Sequence, residues 1–184
     1  LFGCTVTFNS NGGSFIDTKT ITYGTAISKP KDPTNNGYTF NGWYLDGIIY
    51  NFSSPVLTNI TLKAQWDVAD VHVEYNMNGA AGLNAPTDNN VYDLNNNSTT
   101  QLSSQYGSDK TATINGVNCK FGGWALTPSN PSAIYSSSDN VKLSDIIDSA
   151  VQIGNDYKIT FYAVWIPESN HLITINASPE GSAG

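Results

Sequence analysis

Val6-Thr7-Phe8-Asn9-Ser10-Asn11-Gly12-Gly13 decides how this chain is read, because Val73-Glu74-Tyr75-Asn76-Met77-Asn78-Gly79-Ala80 repeats it. β-Branched and aromatic residues alternate and then run into an Asn-Gly turn, the pattern of a strand that opens a hairpin. Two further landmarks return in the same order. Phe40-Asn41-Gly42-Trp43 is echoed by Phe121-Gly122-Gly123-Trp124, and Ile60-Thr61-Leu62-Lys63-Ala64-Gln65-Trp66 by Ile159-Thr160-Phe161-Tyr162-Ala163-Val164-Trp165. All four tryptophans fall at these landmarks. Self-similarity of this kind means tandem copies of one small module rather than a single enzyme domain. The expected organisation is a first module over residues 1–68, a second, divergent and enlarged one over 69–168, and the start of a further repeat over 169–184. Leu172-Ile173-Thr174-Ile175-Asn176-Ala177 opens that third copy, whose early stop at Gly184 reads as a fragment of a longer protein.

The landmarks resemble the Listeria–Bacteroides repeat, also called the internalin B-repeat family. Its members read roughly as V-x-F-x-x-N-G-G, a Pro-containing link, G-Y-x-F-x-G-W-Y and a terminal T-L-x-A-x-W. The first copy matches nearly throughout: Val6 to Gly13, Tyr23-Gly24, Pro30, Asp32-Pro33-Thr34, Gly37 to Tyr44, and Thr61 to Trp66. The second keeps Phe121, Gly123, Trp124, Tyr135 and Thr160 to Trp165 but is longer between landmarks. Gly12 to Trp43 is 31 positions against 45 from Gly79 to Trp124; Trp43 to Trp66 is 23 against 41 from Trp124 to Trp165. The resemblance implies a β-rich α+β fold of tandem, small β-grasp-like (ubiquitin-like) modules. Periodicity alone says only that each module is small and β-rich.

Strands are expected at Thr5–Asn9, Thr18–Tyr23, Tyr38–Leu45 and Ile60–Trp66, with Pro30 and Pro33 stiffening the link between the second and third. Strict alternation would put Tyr38 and Phe40 on one face and Trp43 on the other. The second copy's added length lies in two insertions, 83–120 and 128–157. The first holds an Asn/Ser/Thr-rich stretch and then Asn115-Gly116 at the centre of a hairpin pattern. In the second, Leu143, Ile146, Ile147, Ala150 and Val151 fall at helical spacing, which predicts a short helix over 143–151. Links of four or five residues, Asp67 to Asp70 and Ile166 to Asn170, imply a stiff, extended line of modules.

Charged residues are only 12% of the chain, and Lys and Arg together number 8 against 15 acids. So few cations neutralise few phosphates, which excludes a nucleic-acid partner and argues against docking on anionic lipid. No run reaches the roughly 18 apolar residues of a membrane span, so no membrane insertion by this fragment is expected. No signal peptide is visible. Leu1-Phe2-Gly3-Cys4 is something like a lipoprotein cleavage box; the plainer reading is a strand lead-in with an incidental thiol. Cys4 and Cys119 lie in different modules and read as unrelated free thiols.

Chemistry is sparse. His72 and His171 stand at equivalent repeat positions with no second ligand nearby, so they read as strand-surface residues rather than metal ligands. No nucleophile has a suitably placed base, and no Gly-rich loop opens a helix. Asp88-Asn89-Asn90 and Asp93 offer oxygen ligands without a calcium-loop spacing. The expectation is therefore no enzyme, no cofactor and no metal. Trp43, Trp66, Trp124 and Trp165 are read as the module cores rather than as a sugar-stacking platform, because they recur at matching places. Tyr44, Tyr50 and Tyr106 are left as the candidates for an exposed ligand contact.

Two functions remain. The family resemblance implies an extracellular, cell-surface attached or secreted stalk of a prokaryotic protein, contacting a host or neighbouring-cell surface protein or glycan. The other is a glycan- or peptide-binding module that uses the second copy's insertions, since long loops on a scaffold often carry recognition.

Overall fold

The computed structural model describes residues 2–96, 98–129, 131 and 134–168. His171 and the start of a third copy at Leu172 to Ala177 lie outside the described residues. The chain is β-rich, with almost no helix and several sheets.

The first sheet is built from β1 (Gly3–Asn9), β2 (Lys19–Thr22), β3 (Tyr38–Leu45), β4 (Ile48–Ile49) and β5 (Ile60–Val68), in the order β2-β1-β5-β3-β4. Its first and last strands are parallel neighbours, Val6 to Asn9 lying opposite Ile60 to Lys63. β3 runs antiparallel on the other side of β5. Alternation within β1 and β5 buries Val6, Phe8, Leu62 and Ala64 with Trp43, Ile27 and Val56.

The second sheet repeats the central part of the plan with β6 (Val71–Asn76), β8 (Thr111–Ile114), β9 (Val117–Ala125), β11 (Val151–Ile153) and β12 (Asp156–Pro167), while β7 (Thr99–Gln101) and β10 (Asn140–Lys142) form a separate two-stranded sheet. β6 lies parallel to β12 over six register pairs, and β9 is antiparallel to β12. The two insertions pair with each other, β7 against β10, and their Leu102, Tyr106, Val141 and Leu143 join Val73, Tyr75, Trp124, Ile159 and Phe161 in one core. Ser103 fastens this added layer to the sheet. Its N–H donates to Tyr75 Oη at 3.0 Å, and its carbonyl accepts from Trp124 Nε1 at 3.3 Å.

Two readings of local structure are corrected. The helix expected over 143–151 is replaced by two single 3₁₀ turns, Leu143–Asp145 and Ile147–Ser149. Ile146 interrupts them at φ −124°, ψ 9°, and Ala150 is already extended. Neither turn has a side-chain cap, and so short a stretch has little helical stability of its own. The spacing of Leu143 and its neighbours instead serves a core defined by β10 and Ser98, whose carbonyl accepts from the Leu143 N–H.

The second correction concerns Phe40 and Trp43, which share a face. Phe40 opposes Trp66 while Gly42 opposes Gln65, so Asn41 is an extra residue, a β-bulge. The slip turns a three-residue spacing into same-side neighbours, with ring centroids 5.6 Å apart. Gly122 is the extra residue in the second sheet, where Phe121 opposes Trp165 and Gly123 opposes Val164. Phe121 and Trp124 then meet at 5.1 Å. The residue after each bulge, Gly42 or Gly123, sits at φ 135° or 126°. The F-x-G-W motif is thus a bulge code.

Cys4 and Cys119 are free and buried, one in each sheet, where they behave as small apolar residues.

Candidate functional site at the seam between the sheets

The residues with recurring geometry come first. After β1, Asn11 takes a left-handed conformation (φ 49°), and Asn78 does the same after β6 (φ 50°). Asn9 Oδ1 accepts from the Asn11 N–H, and Asn76 Oδ1 from the Asn78 N–H, at 2.9 and 2.8 Å. This is the local side-chain-to-backbone bond that makes Asn a turn residue. Asn11 Nδ2 then reaches Ala64 O at 3.3 Å, and Asn78 Nδ2 reaches Ala163 O at 3.0 Å. Trp66 Nε1 donates to Ser10 O, and Trp165 Nε1 to Met77 O. Each turn is therefore clasped onto the last strand of its own sheet by one amide and one indole. This is structural work, and it accounts for both terminal tryptophans.

The candidate ligand tyrosines are not gathered. Tyr44 lies on β3 opposite Ile49 and Lys63, half-buried. Tyr50 is half-buried against the first core, its N–H donating to Trp43 O and its ring edge-on to Phe52. Burial holds its phenol above the usual pKa. Tyr106 belongs to the second core, only 7% exposed, with its hydroxyl donating to Asn84 O at 2.7 Å. It is a core residue, which corrects the expectation of an exposed contact. Its place in an insertion hid this, because the insertion itself is folded into the core.

Asp88 and Asp93 are likewise occupied by the protein. Asp88 accepts from the Asn90 N–H and from the Tyr92 hydroxyl, and Asp93 accepts the Asn95 and Asn96 N–H groups at 2.9 and 2.7 Å. The bond from the Asn96 N–H, with help from Asn95, keeps the Asp93 carboxyl below its ordinary pKa. Among the described residues no group of three or more His, Cys, Asp or Glu is gathered as a metal cage would require. His72 Nε2 lies 3.8 Å from Asp156 on an exposed strand face.

What the insertions do build is a seam with the first sheet. Asn36 Nδ2 donates to Asp148 Oδ1 at 2.9 Å, and Thr39 Oγ1 donates to Asn155 O at 3.1 Å. The buried Tyr157 sends its hydroxyl to Asn35 O at 3.3 Å. Gly37, at φ 82°, lies so close to Leu94 that a Cβ there would strike its side chain and crowd that of Ile147. The Gly37 carbonyl accepts the Ala69 N–H at 3.0 Å, where β5 passes to β6. Sequence reading placed Gly37 in a motif but missed its partners, because Leu94, Ile147, Asp148 and Asn155 have no counterpart in the first copy. We expect Gly37→Ala to cost about 1–3 kcal/mol, through left-handed strain plus the contact with Leu94. Amide exchange should rise at Asn36 to Thr39 and at Tyr157 while the centre of β1 stays protected; unchanged exchange at the seam would refute the close fit.

Buried phenols set an alkaline limit. Burial raises the pKa of Tyr75 and Tyr92 above 10.0, and the Tyr92 hydroxyl also donates to Asp88. A raised folded-state pKa means the protonated form is favoured by folding. That stability is fully present below pH 10.0 and is lost as pH rises through the folded values. The urea midpoint should therefore hold to about pH 10 and then fall, and Tyr92→Phe should soften the fall. A midpoint flat to about pH 11 would contradict it.

Residues 5–65 match the family model of the Listeria-Bacteroides repeat domain. The first repeat belongs to that family. A stretch of 80 residues is 38% identical to a protein of Evansella cellulosilytica whose name calls it a Gly-rich membrane protein, covering 41% of this chain and 9% of that one. Another Evansella cellulosilytica protein, named as a membrane protein, is 36% identical over 86 residues, 45% of this chain and 13% of its own. Internalin H of Listeria monocytogenes is 37% identical over 71 residues, 36% of this chain and 13% of its own. The chain thus covers about a tenth of the length of these relatives. No solved structure matches it. No helix among the described residues is long and apolar enough to cross a membrane, which says nothing of a β-barrel.

Proposed function

We propose that this chain is a non-enzymatic extracellular segment of a prokaryotic cell-surface protein, serving as a stalk and adhesion-type interaction module. Its units are β-grasp-like repeats over 1–68 and 69–168, with a further one starting at 169. The observation that carries this reading is where the recurring residues go. Each copy spends its Asn-Gly turn, its F-x-G-W bulge and its final Trp on clasping its own sheet together. The second copy's insertions go into a core layer and the seam. Repeat units that hold themselves and their neighbour in fixed register suit a spacer. The β-grasp reading draws support from the parallel first and last strands at the centre of the first sheet and from the 2-1-5-3-4 order. Relatives named as membrane proteins and as an internalin support a surface location.

One observation favours the second reading, glycan or peptide recognition by the enlarged copy. An open cleft of about 990 Å³ runs beside β9, lined by Gly107, Ser108, Lys120, Ser136, Ser137 and Glu168 among others. An antibody raised against this chain should label intact, unpermeabilised cells of the source, and external protease should abolish the label. Label only after lysis would sink the surface reading. A glycan panel should stay silent with the chain; binding that Lys120→Ala removes would promote the second reading instead.

A further inference from the structure

We infer that each sheet is a mechanical clamp, so that the chain bears tension along its length without unfolding. The inference deepens the stalk reading and rests on it for its biological use, but the geometry stands by itself. β1 and β5 are the first and last strands of the first sheet, and they are adjacent and parallel. β6 and β12 hold the same relation in the second. Tension on a parallel pair of this kind enters at the start of one strand and leaves at the end of its neighbour. The two strands must then slide past each other, with every bond between them loaded at once. Antiparallel terminal strands would place both points of attachment at one end, and the bonds would break singly, in sequence.

The cores reinforce the clamp. Val6, Phe8 and Leu62 on the first pair, and Val73, Tyr75, Ile159 and Phe161 on the second, are all buried, so sliding drags apolar side chains out of close-packed contact. The load path is short: β1 to β5, through Ala69 and Asp70, then β6 to β12. The link is itself tied, by Ala69 N–H to Gly37 O at 3.0 Å and Tyr157 N–H to Asp70 O at 2.8 Å. β2 to β4 and both insertions of the second copy lie off this path. The second copy's extra residues all fall between β6 and β12, where they leave the distance between the loaded strands unchanged.

Single-molecule stretching of the whole chain tests this. Pulled by its two ends, it should give two unfolding events, with length gains on the order of 200 Å for the first sheet and 300 Å for the second. The first sheet is then pulled instead between the N-terminus and a handle at Thr58→Cys, an exposed position just before β5, which peels β1 from β5 from one end. The expected result is a severalfold lower unfolding force at the same loading rate, with an unchanged thermal midpoint as the check that the variant folds. Equal forces in the two geometries would overturn the clamp and leave the surface location untouched. Label confined to lysed cells would remove the stalk and leave the clamp.

Discussion

Trp124→Ala should unfold the second sheet at temperatures where the first still stands. Trp124 is fully buried, with ring centroids 4.7 Å from Tyr75 and 5.1 Å from Phe121. Its backbone exchanges two hydrogen bonds with Tyr135, and its indole N–H holds Ser103 O. Truncating a buried Trp costs about 3–5 kcal/mol, from lost contacts and the cavity left behind. The Ser103 carbonyl also loses its partner, so the insertion layer loosens together with the sheet. For a unit of about 100 residues the midpoint should fall by roughly 15–30 °C. Calorimetry that resolves two transitions reads this directly: the second sheet's transition moves and the first sheet's stays. As a surface control, Tyr23→Ala at a 54% exposed position should change stability by less than about 0.5 kcal/mol. A Trp124→Ala shift no larger than that of Tyr23→Ala would remove Trp124 from the core.

The matching Trp43 is equally buried but differs in one respect. Its indole N–H has no hydrogen-bond partner among the described residues, whereas that of Trp124 does. A buried donor left unpaired costs about 1–3 kcal/mol, so Trp43 forgoes some of what Trp124 gains. The difference follows from the insertion: Ser103 exists only in the second copy. Added chain there supplies a carbonyl that the smaller unit lacks.

The strands at the recurring landmarks and the burial of Trp43 and Trp124 were legible because alternation is local and the landmarks recur, whereas the short β4, β7, β10 and β11 carry no such landmark. Four features were not legible, each for a physical reason. The shared face of Phe40 and Trp43 contradicts strict alternation, since a bulge changes the parity of every residue beyond it and only the partner strand's register reveals it. Tyr106 read as exposed because its segment is polar and has no counterpart, yet pairing of β7 with β10 folds that segment over the second sheet. The helical spacing at Leu143 to Val151 is real as a pattern of burial but spans too few residues to nucleate a helix against its neighbouring strands. The seam was least visible. Its residues come from insertions whose sequence carries no repeat, and only their long-range contacts with Asn35 to Thr39 assign them a task.

The adjacent glycines of the second bulge should respond very differently to the same substitution. A Cβ on Gly123 would lie 2.5 Å from the Tyr135 carbonyl oxygen and 2.7 Å from Ile134 Cγ2, at φ 126°, where an L side chain is strained in any case. The carbonyl cannot retreat, because it accepts the Trp124 N–H at 2.8 Å. Gly123→Ala should therefore cost about 2–4 kcal/mol, strain and collision together. A Cβ on Gly122 would meet only Cδ1 and Cγ1 of Ile166 at close range, an exposed side chain free to rotate away. Against that adjustment stands the backbone entropy that Ala saves over Gly, about 0.5–1 kcal/mol, so Gly122→Ala should fall within about 1 kcal/mol of neutral. The first copy has already made the comparison. Asn41 occupies the position of Gly122 and carries a side chain, while Gly42, at φ 135°, keeps the glycine of Gly123. Urea midpoints of the two variants decide the matter. Equal losses would mean that the bulge geometry is not what holds Phe121 and Trp124 on one face, and the F-x-G-W motif would need another explanation.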